Sequence, residues 1–266
     1  NDIELPAGWT PIGVKTDTAR NAFKGTFDGA GHLLTVPADE KPLFAEVNGA
    51  TIKNLNIYGE RINGFGLIDD WNGVGLKGVG VTIDNVTLKA GTSTLKSGLL
   101  GGVMSGNPFA AVSAGYVANI SNCTVEEGVT IGYDGTQSMI GSFAGRFQGT
   151  IENCVSYGTV KGVDYVGGII GTRDNALGIS SVKNCMFGGS VEATGEQAGG
   201  IVGGGYENSS APNGARPSIT GCASSGRVSG NKYVGGILGG DLYVVQTWGN
   251  VAGSISNNVF TGTVSG

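Results

Sequence analysis

The sequence contains few charged residues and no run of basic ones. Only 14% of its 266 residues are charged, and 16 lysines and arginines against 21 acidic residues give a formal net charge of −5. Nucleic acids and anionic membranes are bound through clustered basic side chains, so we expect neither as a partner.

Long apolar stretches are also missing. No segment approaches the roughly 18 consecutive apolar residues of a membrane-spanning helix, so the sequence does not predict a protein that spans a membrane. The first residues, NDIELPAGWTP, have neither the basic nor the apolar region of a secretory signal peptide. If the protein is exported, we expect its signal to have been removed.

Residues that commonly build catalytic or metal sites are scarce. The chain has one histidine, His32, which we interpret as structural rather than as part of a serine triad. The four cysteines form no CxxC or cysteine–histidine pair suited to zinc, and no HExxH motif is present. Asp69 and Asp70 could bind calcium, but the nonapeptides of calcium-binding β-rolls are absent. We therefore predict no metal and no cofactor.

The sequence is rich in glycine and contains a repeated motif. The chain has 51 glycines and 7 prolines, which indicates many turns, and 39% apolar residues, which is enough for a core. The motif occurs as TIKNLNI, TIDNVTL, NISNCTV, TIENCVS, SVKNCMF, SITGCAS and SISNNVF. Its anchors are Asn54, Asn85, Asn122, Asn153, Asn184, Gly221 and Asn257. The unit is thus about 31 residues with small insertions.

Each unit contains three short apolar segments and no sustained helical period. After the anchor come GTVKG, GSVEA, GRVSG or GTVSG, and then a glycine-flanked run such as SGLLGG, VGGIIG, AGGIVG or VGGILG. Three short strands per unit, repeated in one direction, predict an all-β fold: a parallel β-helix, or three-sheet solenoid, of about seven coils.

The anchor position is predicted to be a bend. Asparagine and glycine are the residues that most readily adopt the left-handed conformation. Such a bend lets Ile151 and Cys154 both point inward although they are three residues apart. Asparagines stacked from coil to coil can also hydrogen-bond through their side-chain amides.

The four cysteines directly follow four of the anchors, at Cys123, Cys154, Cys185 and Cys222. We interpret them as one inward file of small buried side chains about 4.8 Å apart. Disulfides between adjacent coils are the alternative, because stacked residues fall within the allowed Cα separation of about 4.4–6.8 Å.

The GLLG, GIIG, GIVG and GILG runs, with the asparagine–cysteine anchors and GTV segments between them, resemble the GLUG repeats of bacterial surface proteins. WTPIG, FKGTFDGAGHLLTV and PLFAEV are similar to the segment that precedes such repeats. The resemblance implies a right-handed β-helix that is secreted and associated with the bacterial cell surface, often as one module of a longer adhesin-like protein. Such repeats also occur beside catalytic domains in surface proteases of the immunoglobulin A protease kind.

Two parts of the chain are distinguished. Residues 1–50 are predicted to cap the solenoid through Trp9, Phe23, Phe27 and Phe44, because an open solenoid end exposes apolar core and unpaired strands. Residues 51–266 are predicted to form the β-helix. The last unit has no obvious cap, so we expect further domains of the same polypeptide, or a partner, at that end.

A candidate binding edge follows the glycine-flanked runs, where loops of successive coils should stack. The predicted ligand-binding residues there are Asp69, Asp70, Trp71, Asp174, Tyr206, Glu207, Asp241 and Tyr243, and Asn107, Phe109, Arg146, Phe147 and Arg173 fall in the same row. Acids beside aromatics suit sugar binding, although such residues are also common in solvated turns.

Two functions remain. The first is a non-catalytic surface module, adhesin-like, that presents a rigid face to a glycan or protein of a host or matrix. The alternative is a polysaccharide-degrading β-helix enzyme, a lyase or glycoside hydrolase, with Glu207 and Asp241 as the one pair of carboxylates at similar places on neighbouring coils. We favour the first, because the acids lie on variable glycine-rich loops.

Overall fold

Short β-strands make up all the regular secondary structure in the part of the chain that the computed structural model describes. That part comprises residues 1–15, 20–70, 80–98, 118–147, 149–173, 180–205, 218–240, 243–244, 251–252 and 254–266. It contains no helix. The predicted all-β fold is confirmed.

The largest sheet has 15 strands in two parallel stacks, which are joined by the two longest strands, β7 (Thr51–Tyr58) and β9 (Val81–Leu88). The stack that precedes the anchors also contains β4 (Thr26–Asp28), β11 (Ala118–Ser121), β16 (Gly149–Glu152), β21 (Ser180–Lys183), β26 (Ser218–Thr220) and β32 (Ser254–Ser256). The stack that follows them contains β1 (Ile3–Glu4), β5 (Leu33–Thr35), β12 (Thr124–Val125), β17 (Val155–Ser156), β22 (Met186–Phe187), β27 (Ala223–Ser224) and β33 (Val259–Phe260).

Three further parallel stacks complete the coils. The six-stranded sheet contains β10 (Ser93–Thr94), β13 (Thr130–Ile131), β18 (Thr159–Gly162), β23 (Ser190–Ala193), β28 (Arg227–Ser229) and β34 (Thr263–Ser265). The four-stranded sheet contains β14 (Ile140–Gly141), β19 (Val166–Gly167), β24 (Glu196–Gly199) and β29 (Lys232–Gly235), and the three-stranded sheet contains β15 (Ala144–Phe147), β20 (Ile170–Arg173) and β25 (Val202–Gly205).

The remaining strands form pairs. The strands β6 (Phe44–Glu46) and β8 (Ile68–Asp70) are parallel. Two antiparallel pairs, β2 (Val14–Lys15) with β3 (Arg20–Asn21) and β30 (Tyr243–Val244) with β31 (Val251–Ala252), lie outside the stacks.

Successive repeats stack in register, with like residues over like. One inward file runs Ile52, Ile83, Ile120, Ile151, Val182, Ile219 and Ile255. Parallel strands buried on their inner face require apolar residues there, which is why the repeat is visible in the sequence.

The predicted bend is confirmed at all seven anchors. The six asparagines have φ between 50° and 56°, and Gly221 has φ 67°. The amide ladder is present between Asn85 and Asn54, where Nδ2 donates to Oδ1 at 2.9 Å. Asn54 and Asn122 instead donate to carboxylates, those of Asp28 and Asp84, at 3.0 and 2.7 Å.

The glycine-flanked runs correct the prediction of a single third strand. Each of three runs forms two short strands separated by a two-residue bend: β14 and β15, β19 and β20, and β24 and β25. Glycines line the contact between the two strands, because a Cβ on Gly167 would lie 1.8 Å from the Ile170 carbonyl oxygen, and one on Gly199 would lie 1.9 Å from that of Val202. Two strands therefore pack backbone against backbone, which only glycine permits.

Residues 1–50 are continuous with the repeats. The strands β4 and β5 pair in parallel with β7, and β1 pairs with β5. Phe44 is fully buried, and its ring centroid lies 5.2 Å from that of Phe23 and 5.6 Å from that of Phe27. These rings fill the first layers of the stack, and the role of this segment as a cap stays a prediction.

Candidate functional site

The predicted loop edge falls mostly on residues that the structure does not describe. Trp71, Asp174, Tyr206, Glu207 and Asp241 lie outside the described residues. So do Asn107 and Phe109.

The backbone is described at some of the remaining positions. Asp69 and Asp70 are in β8 and Tyr243 is in β30. The strands that directly precede Asp174 and Tyr206 in sequence, β20 and β25, are neighbours, with Arg173 and Gly205 as register partners. The loop edge remains a prediction.

One residue of the predicted edge is misplaced. Phe147 was expected beside Arg146 on the exposed corner, but it is 0% exposed and lies at the end of β15. The strand continues two residues past the corner that the glycine-flanked run suggested, so Phe147 packs into the core.

The outer face of the largest sheet carries a file of small polar side chains that sequence reasoning missed. We call it the hydroxyl file. Register partners along the stack are Thr26, Thr51, Thr82, Asn119, Thr150, Ser181, Ser218 and Ser254. Seven of these eight residues carry a hydroxyl, and the eight strands extend over roughly 34 Å at the usual strand spacing. The signal was the first letter of each anchor motif, which is T, T, N, T, S, S and S.

A second outward file runs two residues further along each strand, and we call it the charge file. It contains Asp28, Lys53, Asp84, Ser121, Glu152, Lys183, Thr220 and Ser256. Positions i and i+2 of a strand share a face, so the two files form one flat surface, the anchor face. Its charges alternate in sign along much of the stack.

Contacts within the anchor face hold its side chains in place. Ser121 Oγ donates to Asp84 at 2.7 Å, and the hydroxyls of Ser181 and Ser218 are 2.6 Å apart. Hydroxyls both donate and accept, so a side chain that bonds to its neighbour can still bond to a ligand.

The carboxylate at the N-terminal end of the charge file is ionised at neutral pH. Hydrogen bonds from the Asn54 amide and the Ala30 backbone N–H lower the pKa of Asp28, with Lys53 Nζ 3.3 Å away. The anchor face therefore offers hydroxyls and charges of both signs rather than a field of one sign.

A second bend, also missed from the sequence, lies at the start of each strand of the four-stranded sheet. Met139, Tyr165, Gln197 and Tyr233 have φ between 55° and 64°, and the residues that follow them are register partners. None is a residue that favours the left-handed conformation. Tyr233 is 55% exposed.

Tyr233 lies beside an ion pair. Lys232 Nζ is 4.6 Å from the Tyr233 ring centroid and 3.0 Å from Glu196 Oε1. The hydrogen bond with Glu196 raises the pKa of Lys232. This corner therefore presents a cation, an anion and an aromatic ring together.

The cysteine file is confirmed as buried free thiols. All four are at most 1% exposed, and the backbone N–H of Cys123 donates to Cys154 Sγ at 3.4 Å. A hydrogen bond with Cys154, together with burial, raises the pKa of Cys185 to about 12. The neighbouring thiol likewise raises the pKa of Cys154 and of Cys222. Such thiols are not nucleophiles at neutral pH.

The part of the chain that the structure describes shows neither a metal site nor a membrane-spanning helix. Among the described residues, no three histidine, cysteine or acidic side chains are grouped so that they could hold a metal ion. Nor does this part of the chain contain a helix long and apolar enough to cross a membrane.

Comparison with known proteins identifies a shared fold. No protein-family model matches the chain, and no curated protein matches it in sequence. A solved structure does: a "putative immunoglobulin A1 protease" from Bacteroides ovatus, with a TM-score of 0.51 and 18% identity over 100% of this chain and 75% of that one. At this identity the likeness shows the fold alone.

Proposed function

We propose that the chain is a non-catalytic module of a bacterial cell-surface protein that holds an extended ligand on a rigid outer face. The observation that carries this proposal is the in-register anchor face, in which polar residues recur on all eight strands of one stack of the largest sheet. A repeat array binds through such extended surfaces because each repeat adds an equivalent set of contacts.

A neutral glycan suits the anchor face better than a polyanion. The hydroxyl file supplies donors and acceptors at every strand, and sugar hydroxyls pair with such groups. The charge file contains three acidic side chains and two lysines, so it does not present charge of a single sign. A protein ligand of the matrix remains within the proposal, and the predicted loop edge would add aromatic contacts.

The proposed location of the module and the finer details of its fold are supported by the sequence resemblance. We place it among secreted proteins with GLUG-like repeats, as a right-handed three-sided solenoid of about seven coils whose third side is the glycine-packed pair of sheets. Residues 1–50 cap one end of the solenoid.

Binding to arrays of neutral glycans and matrix proteins tests the proposal. Replacing two hydroxyls of the anchor face, in the double variant Thr82→Val and Thr150→Val, should weaken binding at least tenfold with the fold unchanged. The matched control makes the same change on the six-stranded sheet, Thr130→Val with Thr159→Val, and should bind as the unmodified chain does.

Further variants separate the two candidate surfaces. If Trp71→Ala, Tyr206→Ala or Tyr243→Ala abolishes binding while the threonine double variant does not, the ligand binds at the loop edge instead. Absence of any bound glycan or matrix protein would refute the proposal, and release of sugars from a polysaccharide panel would favour the enzyme.

A further inference from the structure

The last layer of the solenoid exposes side chains at positions that are buried in the six repeats before it. Ile255, Phe260 and Val264 are 49%, 36% and 44% exposed. Their counterparts one layer below include Ile219 and Val228, which are 3% and 0% exposed. Apolar residues in the inward files of this layer therefore face solvent along the solenoid axis. We call this surface, formed by β32, β33 and β34, the open layer.

The open layer is built like the layers beneath it. Asn257 keeps the left-handed bend, with φ 56°. The ring of Phe260 lies against Gly236 as that of Phe187 lies against Gly168, since a Cβ on either glycine would be within 2.5 Å of the ring. The exposure is therefore not the result of a distorted or frayed last turn.

The backbone of the open layer has an N–H group at its bend that could pair with another strand. In the four preceding layers the bend residue donates its N–H to a carbonyl of the next layer, as Asn184 does to Thr220 at 2.9 Å and Gly221 to Ser256 at 3.1 Å. Among the described residues, none accepts from the N–H of Asn257. An edge strand with such groups is a template for pairing.

The glycine-packed side ends in the same way. Strand β29 is the last of the four-stranded sheet, and beyond it Ile237 and Leu238 are half-buried. One layer below, Ile201 and Val202 are 0% and 2% exposed. Among the described residues, the open surface thus includes part of the glycine-packed side.

The opposite end of the solenoid differs, which argues against a second copy as the occupant. There the aromatic residues Trp9, Phe23 and Phe27 pack against the core, and Ile3 is the exposed large apolar side chain among the residues described at that end. A head-to-tail copy would place this closed end on the exposed Ile255, Phe260 and Val264 without matching them.

The contacts between existing layers define what fits. Gly226 lies over the ring of Phe187 in the layer below, where a Cβ would be 2.7 Å from the ring. The occupant therefore needs a glycine where it crosses Phe260, apolar residues over Ile255 and Val264, and asparagine or glycine at the bend. These are the features of the chain's own repeat.

We propose that the open layer is a docking surface for one further parallel coil with this chain's repeat pattern. The occupant forms the same contacts that each coil makes with the next, by parallel strand addition at an existing sheet edge. It buries the three apolar files and accepts the hydrogen bond from Asn257.

The test appends a coil to the full chain. Residues 163–193 are added after Gly266, because Gly266 continues the register of Gly162 through β18, β23, β28 and β34. Tethering removes the cost of bimolecular association. The proposal expects hydrogen exchange at Asn257 and in β32–β34 to slow at least tenfold, with the protein monomeric. The matched control carries Val182→Asp and Val191→Asp in the appended copy only, and should leave exchange unchanged.

Three results would overturn the proposal. The first is an appended coil that leaves exchange in the open layer as it was. The second is equal protection by the aspartate-bearing control, which would show that any covalent extension shields this end. The third is self-association of the unextended chain that protects β32–β34 and is lost on Ile255→Asp, which would identify a second copy as the occupant. Ligand binding is not measured in any arm, so the outcome is independent of the anchor face.

Discussion

Substitution of Gly167 by alanine tests the backbone-to-backbone packing that defines the glycine-flanked runs. The added methyl would lie 1.8 Å from the Ile170 carbonyl oxygen and 2.6 Å from the backbone nitrogen of Gly203. Both are backbone atoms of neighbouring strands of the three-stranded sheet, so neither can rotate away. The two sheets would have to separate locally by roughly 1 Å, and overpacking of this kind costs about 1–3 kcal/mol, or more where the backbone must move.

We expect a loss near the upper end, about 3 kcal/mol, which corresponds to a melting temperature lower by roughly 6–12 °C for a chain of this size. Chemical denaturation followed by far-ultraviolet circular dichroism measures it. Gly25→Ala is the matched control, because its methyl would meet only the edge of the Phe23 ring, at 3.3 Å. If Gly167→Ala is as stable as Gly25→Ala, the two strands do not pack as described.

Four further substitutions and one labelling reaction check separate parts of the fold. Ser156→Ala should destabilise by about 1–3 kcal/mol because it orphans buried Ser142, 2.6 Å away. Ser224→Ala should be neutral or slightly stabilising, because no described residue bonds to its buried hydroxyl; equal losses in a denaturation series would contradict this. Asn153→Ala should cost about 1–2 kcal/mol at φ 54°, and Asn153→Gly much less, by the same measurement. The thiols, with the pKa of Cys185 near 12, should resist a thiol reagent at pH 8 until denaturant is added, whereas prompt labelling of the native protein would show them accessible.

The features that were predictable from the sequence are those where stacking imposes the same demand on every coil. A left-handed bend between inward residues favours asparagine or glycine, so Asn153 and Gly221 predicted the bend. The inward file through Ile151 was visible for the same reason, because each copy must bury an apolar residue at that point. The hydroxyl file is equally regular in the sequence. It was not predicted, because small polar residues on a solvent-exposed face are not required by packing.

The double strand in each glycine-flanked run was not predictable from local pattern. In VGGIIG the apolar residues lie between glycines, as they would in one short buried strand, and nothing local indicates that Gly167 faces the Ile170 carbonyl. The contact arises only when the run folds back on itself and on its neighbour Gly203. Tertiary packing, rather than propensity, therefore decides the number of strands.

The second bend shows how this packing shapes the surface around it. Left-handed backbone costs a residue other than glycine roughly 1–2 kcal/mol, so Gln197 at φ 64° persists only because its surroundings compensate. Its side chain lies over Gly204 and Gly240, each of which would place a Cβ within 2.1 Å of Gln197 Oε1. Strands made of glycine leave their backbone without side-chain cover, and a long side chain at the bend provides that cover. The strained backbone of Gln197 and the exposed backbone of the glycine-rich strand are thus linked. The residue that turns the chain at the second bend also covers, with its side chain, the strand that follows.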